Sequence, residues 1–378
     1  MTMSRSAPGP ASDLSRHERF MRLCMDLALR GRGRVSPNPL VGAVIVRRGR
    51  VIARGWHRRF GGPHAEIECL ATSRGSIAGT TLYVNLEPCA HYGKTPPCTE
   101  RIIASGIGEV VIAMKDPNPL VSGRGIRALR RGGVRVTSGV LEEDARELNR
   151  IFLTHITRKS PFVHVKIAQS IDGFISGERA PRYLSSPPSL RLVHRWRADH
   201  DAVLVGAGTV RADNPHLTVR HIRGKNPHVV VVDGRLSIPE HANALRREGG
   251  RGVFLCVTER AATRAGRKIR RLESRGIVVL RFHARGGVLA LRDVLAALYK
   301  FDIGSVLVEG GKDIFTQFLR EQLADELSIF VTPLILGGGV RAFESGTWIA
   351  PAFTRSTGLR ARCIGNDVLL TTHFTHGR

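Results

Sequence analysis

The 378-residue chain is short of several things, and each shortage excludes a class. No apolar run approaches the ~18 residues that a bilayer-spanning helix needs, so no membrane role is expected. The first residues, MTMSRSAPGPASDLSRHERF, lack the apolar core of a secretory leader. Residues 1–17 are expected to be a disordered lead-in. Six cysteines (Cys24, Cys69, Cys89, Cys98, Cys256 and Cys363) are too sparse for a disulfide framework in a chain of this length. Together these shortages point to a reducing, cytoplasmic setting. Internal repeats and low-complexity segments are absent. Acidic residues are also scarce: 32 Asp+Glu stand against 58 Lys+Arg, a formal net charge of +26. Such a charge attracts polyanions, with nucleic acid as the first reading. The arginines are scattered rather than held in one tract, which fits a solvated basic surface equally well, and part of the charge could serve a small phosphorylated substrate.

What is present suggests two domains. The apolar residues Phe20, Leu23, Cys24, Leu27 and Ala28 recur at helical spacing from Glu18 to about Arg30. VGAVIV and RVIARGW flank an Arg-Gly turn and predict a β-hairpin. A helix is predicted from Pro63 to Ala71, with HAE in its first turn. TTLYVNLEPC predicts a strand, followed after a loop by a second helix, and EVVIAMKDPN a further strand. LEEDARELNRIFLTHIT is amphipathic and predicts one closing helix. The pattern restarts near Lys159-Ser160-Pro161, and the boundary is placed at residue 158. Beyond it, FVHVKIAQS, DAVLVGAG, HVVVVDG, GVFLCV, GIVVL and SVLVEGG are apolar strand candidates. Most are separated by helical stretches, as in an α/β sheet buried on both faces.

The chemistry concentrates in the first domain. PHAEIECL holds His64 and Glu66 as H-x-E, and LEPCAHYGKTPPCTE holds Cys89 after a proline and then Cys98. A catalytic zinc takes three protein ligands and keeps a fourth position for water, and one imidazole with two thiolates supplies the three. Zinc brings the pKa of its water toward neutrality. Glu66 is not needed as a ligand and can shuttle protons from that water to a ring nitrogen and then to the leaving ammonia. The order H-x-E…P-C…C matches the zinc deaminase signature, although eight residues lie between the cysteines where two are usual. The longer insert is tolerated if Cys98 still opens a helix, which the preceding prolines favour. Cys24 and Cys69 lack partners in this pattern and are expected in the core.

The run CAHYGKTPPC, with SPNPLVGAVIV, GWH, GGPHAE, NLEPC and KDPNP, resembles the bifunctional riboflavin-biosynthesis deaminase-reductases. The resemblance continues through VKIAQSIDGFI, RADHDAVLVGAGTVRADNPHLTVR, VLVEGG, ADEL and LILGGG, over about residues 18 to 345. It implies an α/β fold throughout: a cytidine-deaminase-like three-layer domain over 1–158, then a dihydrofolate-reductase-like domain over 159–378 that uses NADPH. It implies hydrolytic deamination of 2,5-diamino-6-(5-phosphoribosylamino)pyrimidin-4(3H)-one, then reduction of the ribosyl group to ribityl. Asn38, His57, Lys94, Asp116 and Asn118 would line the deaminase substrate site. Ala168, Tyr183, Thr209, Asp213 and the stretch Gly311, Lys312, Asp313, Ile314, Phe315, Thr316, Gln317 would contact the cofactor. Arg197, Leu217, Arg220 and Glu309 would contact the reductase substrate, the two arginines because guanidinium binds phosphate bidentately. Self-association is also implied, with a small phosphoribosyl-pyrimidine as partner and no nucleic acid.

The residues themselves say less about the second half. VLVEGGKDIFTQFL reads as strand, Gly-Gly, helix, whose free amides suit a phosphate. VLVGAGTVRAD has Arg211 where a dinucleotide fingerprint would place a third glycine. GERAPRYLSS departs from the family pattern, with Tyr183 where tryptophan is common and Pro181 where serine is expected. Two alternatives stand beside the main reading, and the departure bears on the first. One is a paralogue with weak or altered reductase serving another pyrimidine-derived pathway. The other is a nucleic-acid (tRNA-type) zinc deaminase with an accessory domain, which the +26 charge favours.

Overall fold

The computed structural model describes residues 10–92, 96–118, 121–178, 180–181, 183–284, 288–343 and 356–375. The chain divides into two compact units, Met1–Lys159 and Ser160–Arg378, one residue past the sequence-based boundary.

The first unit runs α1 (Pro10–Ala28), β1 (Gly42–Arg47), β2 (Arg50–Trp56), α2 (Ala65–Ala71), β3 (Thr81–Leu86), α3 (Cys98–Ala104), β4 (Glu109–Met114), α4 (Arg124–Arg131), β5 (Arg135–Ser138), α5 (Glu142–Leu148) and α6 (Arg150–Arg158). Its sheet has the order β2-β1-β3-β4-β5. β1 is antiparallel to β2 and β3, and β3, β4 and β5 are parallel. In β1, β3 and β4 consecutive residues are buried, which needs cover on both faces and explains the unbroken Val/Ile/Leu runs. Cys24 and Cys69 lie in this core as expected.

Two expectations are corrected here. The first helix starts at Pro10, not Glu18, so much of the presumed lead-in is helical. Proline suits a first helical position, where its missing N–H would have had no partner. The closing helix is two, because Asn149 between α5 and α6 leaves helical geometry at φ −102° and ψ 17°. Its buried side chain is engaged elsewhere: Oδ1 accepts from the Leu40 N–H at 2.8 Å and Nδ2 donates to the Leu40 carbonyl at 3.1 Å.

The second unit runs β6 (Phe162–Ser170), β7 (Phe174–Ser176), α7 (Pro187–Asp199), β8 (Ala202–Gly206), α8 (Ala207–Asp213), β9 (His228–Val232), β10 (Val253–Thr258), α9 (Glu259–Arg264), α10 (Gly266–Ser274), β11 (Val278–Phe282), α11 (Leu291–Tyr299), β12 (Ser305–Gly310), α12 (Lys312–Arg320), β13 (Glu326–Thr332), β14 (Val340–Arg341), β15 (Ser356–Ile364) and β16 (Asp367–Phe374). Nine strands form one sheet, β11-β10-β9-β8-β12-β6-β13-β16-β15. The strands from β11 to β13 are parallel, and β16 and β15 return antiparallel. Alternate residues feed opposite faces: Val306 and Val308 join one apolar cluster, and Leu307 the other. β12 inserts between β8 and β6, so the carboxyl ends Gly206 and Gly310 emerge side by side. In open parallel sheets, ligands bind outside such ends. No described helix is long and apolar enough to cross a membrane.

Candidate active sites

In the first unit, two helix starts and a strand end bring the metal-type donors together. His64 caps α2 from an extended conformation (φ −70°, ψ 158°), Cys98 is the first residue of α3, and Cys89 follows β3. The helix start at Cys98 is what the long insert between the cysteines required. His64 Nδ1 lies 3.2 Å from Cys98 Sγ and 3.6 Å from Cys89 Sγ. The three donor atoms all fall within 4.8 Å of one another. Cys89 Sγ also accepts the Cys98 N–H at 3.3 Å. One nitrogen and two sulfurs at this separation fit a tetrahedral zinc with one position left open. The Cys98 partner lowers the Cys89 thiol, the direction that a thiolate ligand needs. The same pairing raises the Cys98 thiol.

Glu66 is buried beside this triple, and burial raises its carboxyl pKa while His64 opposes the rise. His57 is buried as well, with its ring 6.0 Å from that of His64. Its Nδ1 lies 2.9 Å from the Pro63 carbonyl, which can only accept, so Nδ1 carries the proton. Nε2 is then the acceptor that faces the Asn38 amide at 3.2 Å. Burial lowers the His57 pKa, in keeping with a neutral ring. Asp116 accepts the Asn118 N–H at 2.8 Å. Burial pushes its carboxyl up to about 6, with Glu87 and Cys89 acting in the same direction. Asn38, His57, Asp116 and Asn118 are thus held near the triple or tied to a residue that is. Lys94 lies outside the described residues.

Sequence reasoning missed three residues that shape this site. Buried Glu87 accepts from the N–H groups of Asp116 (3.3 Å), Gly123 (2.9 Å) and Ile126 (3.1 Å), tying Asp116 to the start of α4. Asn85 accepts from Gly42 at 2.8 Å and donates to the Leu40 carbonyl at 2.9 Å, and Asn149 holds Leu40 from the other side. Both asparagines therefore fix the loop that carries Asn38. NLEPC contained two of these residues, but nothing local revealed their partners.

In the second unit, Gly206 and Gly310 close two neighbouring strands. A Cβ on Gly310 would stand 2.8 Å from Thr209 Oγ1, one on Gly311 2.9 Å from it, and one on Gly206 2.7 Å from Ile314 Cγ1. Only glycines allow this close approach of β8, α8 and the start of α12. Gly311 caps α12, and the free N–H groups of that helix start fit a cofactor phosphate. Ile314, Phe315, Thr316 and Gln317 are buried, so the exposed part of that stretch is its first turn. Gln317 Nε2 is engaged by the Leu289 carbonyl at 2.8 Å. Ala168 lies on β6 opposite Phe330, and Asp213 ends α8 with its carboxyl raised by burial. Tyr183 is half exposed.

Arg197 is held from two sides. Nε donates to Glu309 Oε1 at 2.6 Å, Nη2 to Oε2 at 2.7 Å and Nη1 to the Thr218 carbonyl at 3.0 Å, all in a buried setting. The fork-to-fork pair fixes the plane of the guanidinium, and these bonds use three of its five N–H donors. Arg220 differs: it is exposed, and Nη1 donates to Thr218 Oγ1 at 3.0 Å. Leu217, buried at φ +55°, turns the chain into this segment. Lys166 on β6, not singled out from the sequence, faces the same pair, and burial lowers its pKa while Glu309 opposes the shift.

Comparison with known proteins agrees with this division. Residues 14–114 match the cytidine and deoxycytidylate deaminase zinc-binding region, and residues 161–370 match the RibD C-terminal domain. The chain is 39% identical over 329 residues to riboflavin biosynthesis protein RibD of Aquifex aeolicus, covering 86% of this chain and 90% of that one. It is 40% identical over 323 residues to the Bacillus amyloliquefaciens protein of the same name, covering 85% of each. Among solved structures it is similar to a diaminohydroxyphosphoribosylaminopyrimidine deaminase/5-amino-6-(5-phosphoribosylamino)uracil reductase from Thermotoga maritima. There the TM-score is 0.81 and the identity 37%, covering 96% of this chain and all of the other. RibD of Acinetobacter baumannii gives a TM-score of 0.84 at 33% identity, covering 96% of this chain and 100% of its own.

Proposed function

The chain belongs to the riboflavin biosynthesis protein RibD family, and on that premise we propose that its two units act in turn on one phosphoribosylaminopyrimidine. It is a bifunctional enzyme, with a zinc-dependent deaminase in the first unit and an NADPH-dependent reductase of dihydrofolate-reductase-like fold in the second. The first step removes the exocyclic amino group as ammonia, and the second reduces the ribosyl group to ribityl. The observation that carries this reading is the convergence of His64, Cys89 and Cys98 with buried Glu66 beside them.

His64, Cys89 and Cys98 would hold the zinc. When bound, zinc acidifies water for attack on an amidine carbon, and NADPH supplies the reducing electrons of the second step. Glu66 takes the proton of the attacking water on its carboxylate and returns it to the ring nitrogen and the leaving amine. Neutral His57, fixed between Pro63 and Asn38, presents that asparagine amide to the pyrimidine. Asp116 and Asn118 complete the rim, with Lys94 as the cation on the insert. In the second unit, Thr209, Asp213, Ala168, Tyr183 and the start of α12 would bind the cofactor. Arg220 takes the substrate phosphate, and Arg197, Leu217 and Glu309 complete the substrate site.

The chain works in the cytoplasm as a self-associated enzyme on this reading. Free thiols at Cys24, Cys69 and Cys256 support the reducing compartment. Similarity over nearly the whole chain to two-step enzymes favours a small substrate over nucleic acid. The test is direct. Purified chain is given the diaminopyrimidine phosphoribosyl substrate, ammonia is measured, and NADPH oxidation is then followed. Ammonia release followed by NADPH consumption is expected; turnover of tRNA or single-stranded DNA instead would sink the proposal.

A further inference from the structure

The stretch Leu217–Arg220 belongs to no helix or strand, yet each of its next three residues is gripped by a side chain from elsewhere. The Thr218 carbonyl accepts from Arg197 Nη1 at 3.0 Å. The Val219 N–H donates to Asn226 Oδ1 at 2.8 Å. The Arg220 N–H donates to His194 Nδ1 at 3.0 Å. His194 and Arg197 stand three residues apart on α7, so one face of that helix holds two points of the stretch. His194 is only 3% exposed, and its ring meets His221 edge-on at 4.5 Å. An Nδ1 that accepts from a backbone amide carries no proton, so the ring is the neutral tautomer protonated at Nε2. Burial first, then the charges of Arg197, His221 and Arg220, hold its pKa at about 4 against the opposing pull of Glu309.

What this framework presents is the side chain of Arg220, exposed and pinned at one point by Thr218 Oγ1. We propose that His194 and Asn226 are positioning residues of the reductase: by accepting the N–H groups of Arg220 and Val219, they fix the irregular backbone that aims the Arg220 guanidinium at the substrate's phosphate. The proposal rests on the functional reading above for the identity of the phosphate-bearing substrate. Without either acceptor, a backbone N–H loses its partner and the stretch must rearrange to recover one. Arg220 then loses its preset direction. The cost falls on capture of the phosphate, because neither His194 nor Asn226 is needed to move electrons or protons at the ribosyl carbon.

The experiment uses the full chain and steady-state reductase kinetics with 5-amino-6-(5-phosphoribosylamino)uracil and NADPH. His194→Leu removes the acceptor at similar bulk, whereas His194→Asn returns an oxygen near the place of Nδ1. His194→Leu is expected to raise KM for the pyrimidine about tenfold, with kcat within about twofold and KM for NADPH unchanged. His194→Asn should recover most of that loss. Competitive inhibition by inorganic phosphate should weaken in His194→Leu in parallel with KM. Deaminase activity of the same preparations reports on the integrity of the chain. Asn226→Ala, at a half-buried loop position, should show the same KM-specific loss and supplies an independent arm if His194→Leu folds poorly. A fall in kcat with KM unchanged, equal behaviour of the Leu and Asn variants, or undiminished phosphate inhibition would overturn the positioning role. A wild-type chain that deaminates but never oxidises NADPH would instead overturn the functional reading, and this proposal with it.

Discussion

Arg197 and Glu309 are 112 residues apart in the chain and meet as a two-pronged fork, 2.6 and 2.7 Å, with side chains 11% and 8% exposed. Removing one member of a buried pair leaves the other charge uncompensated, at about 3–5 kcal/mol. Arg197→Ala should therefore destabilise the second unit by roughly 3 kcal/mol, read by denaturant unfolding. A joint Arg197→Met, Glu309→Leu chain should recover much of that stability while remaining inactive as a reductase, because a carboxylate proposed to meet the substrate is gone. Equal instability of the single and double variants would refute the pairing argument.

The same neighbourhood sets an acid response. His194 titrates at about 4, well below an ordinary histidine, and Glu309 is held below the ordinary glutamate range. For Glu309, burial alone would raise the pKa, and the Arg197 guanidinium reverses that. In both cases the unfolded chain binds more protons than the folded one as pH falls, so stability must fall with pH. The His194 contribution should be lost between about pH 6.5, its unfolded value, and about 4. The Glu309 contribution begins to go only near the unfolded glutamate value, about 4.3, and below. Calorimetry of wild type should show the transition of the second unit moving down across this window, and His194→Asn should flatten its upper part. A midpoint that rises on acidification would contradict the sign.

In the first unit, Glu66→Gln should keep the metal and lose deamination by at least about 10²–10⁴-fold, since the amide cannot accept and return a proton. Zinc content by elemental analysis should stay near that of wild type, because the donor set is His64, Cys89 and Cys98. Cys98→Ser should instead reduce bound zinc and deamination together. Reductase rates of both variants should be unchanged. Full deaminase activity in Glu66→Gln would remove the proton-shuttle role.

The metal-type triple was legible because its residue types are rare and their order is diagnostic: H-x-E, a cysteine after proline, and a second cysteine where a helix could begin. The strands were legible because sheets buried on both faces leave continuous Val/Ile/Leu runs, as in β1 and β8. What escaped depends on partners distant in sequence. Glu87 looked like part of NLEPC, but its work is done on the amides of Asp116, Gly123 and Ile126. Asn149 broke a helix that periodicity joined, because it bonds Leu40, 109 residues away. The resemblance implied that Arg197 and Glu309 both meet the substrate, but only the fold reveals that they are also paired with each other. Local pattern reports secondary structure and unusual chemistry; it does not report which arginine pairs with a carboxylate 112 residues away.

Gly311 gives the sharpest test of the cofactor side. It caps α12, and a methyl group there would sit 2.9 Å from Thr209 Oγ1 with no other atom within 4 Å. Gly311→Ala should therefore leave the core intact and disturb one thing, the approach of Thr209 to the helix start. Both are proposed to meet the cofactor, so KM for NADPH should rise about tenfold, equivalent to about 1.4 kcal/mol. KM for the pyrimidine and the deaminase rate should stay close to wild type. Gly206→Ala is the contrasting variant, because its methyl would press 2.7 Å from Ile314 Cγ1, a side chain buried in the core. Its first effect should be on the melting temperature of the second unit. If Gly311→Ala lost stability rather than NADPH affinity, the start of α12 would be a packing joint and the cofactor phosphate would have to bind elsewhere.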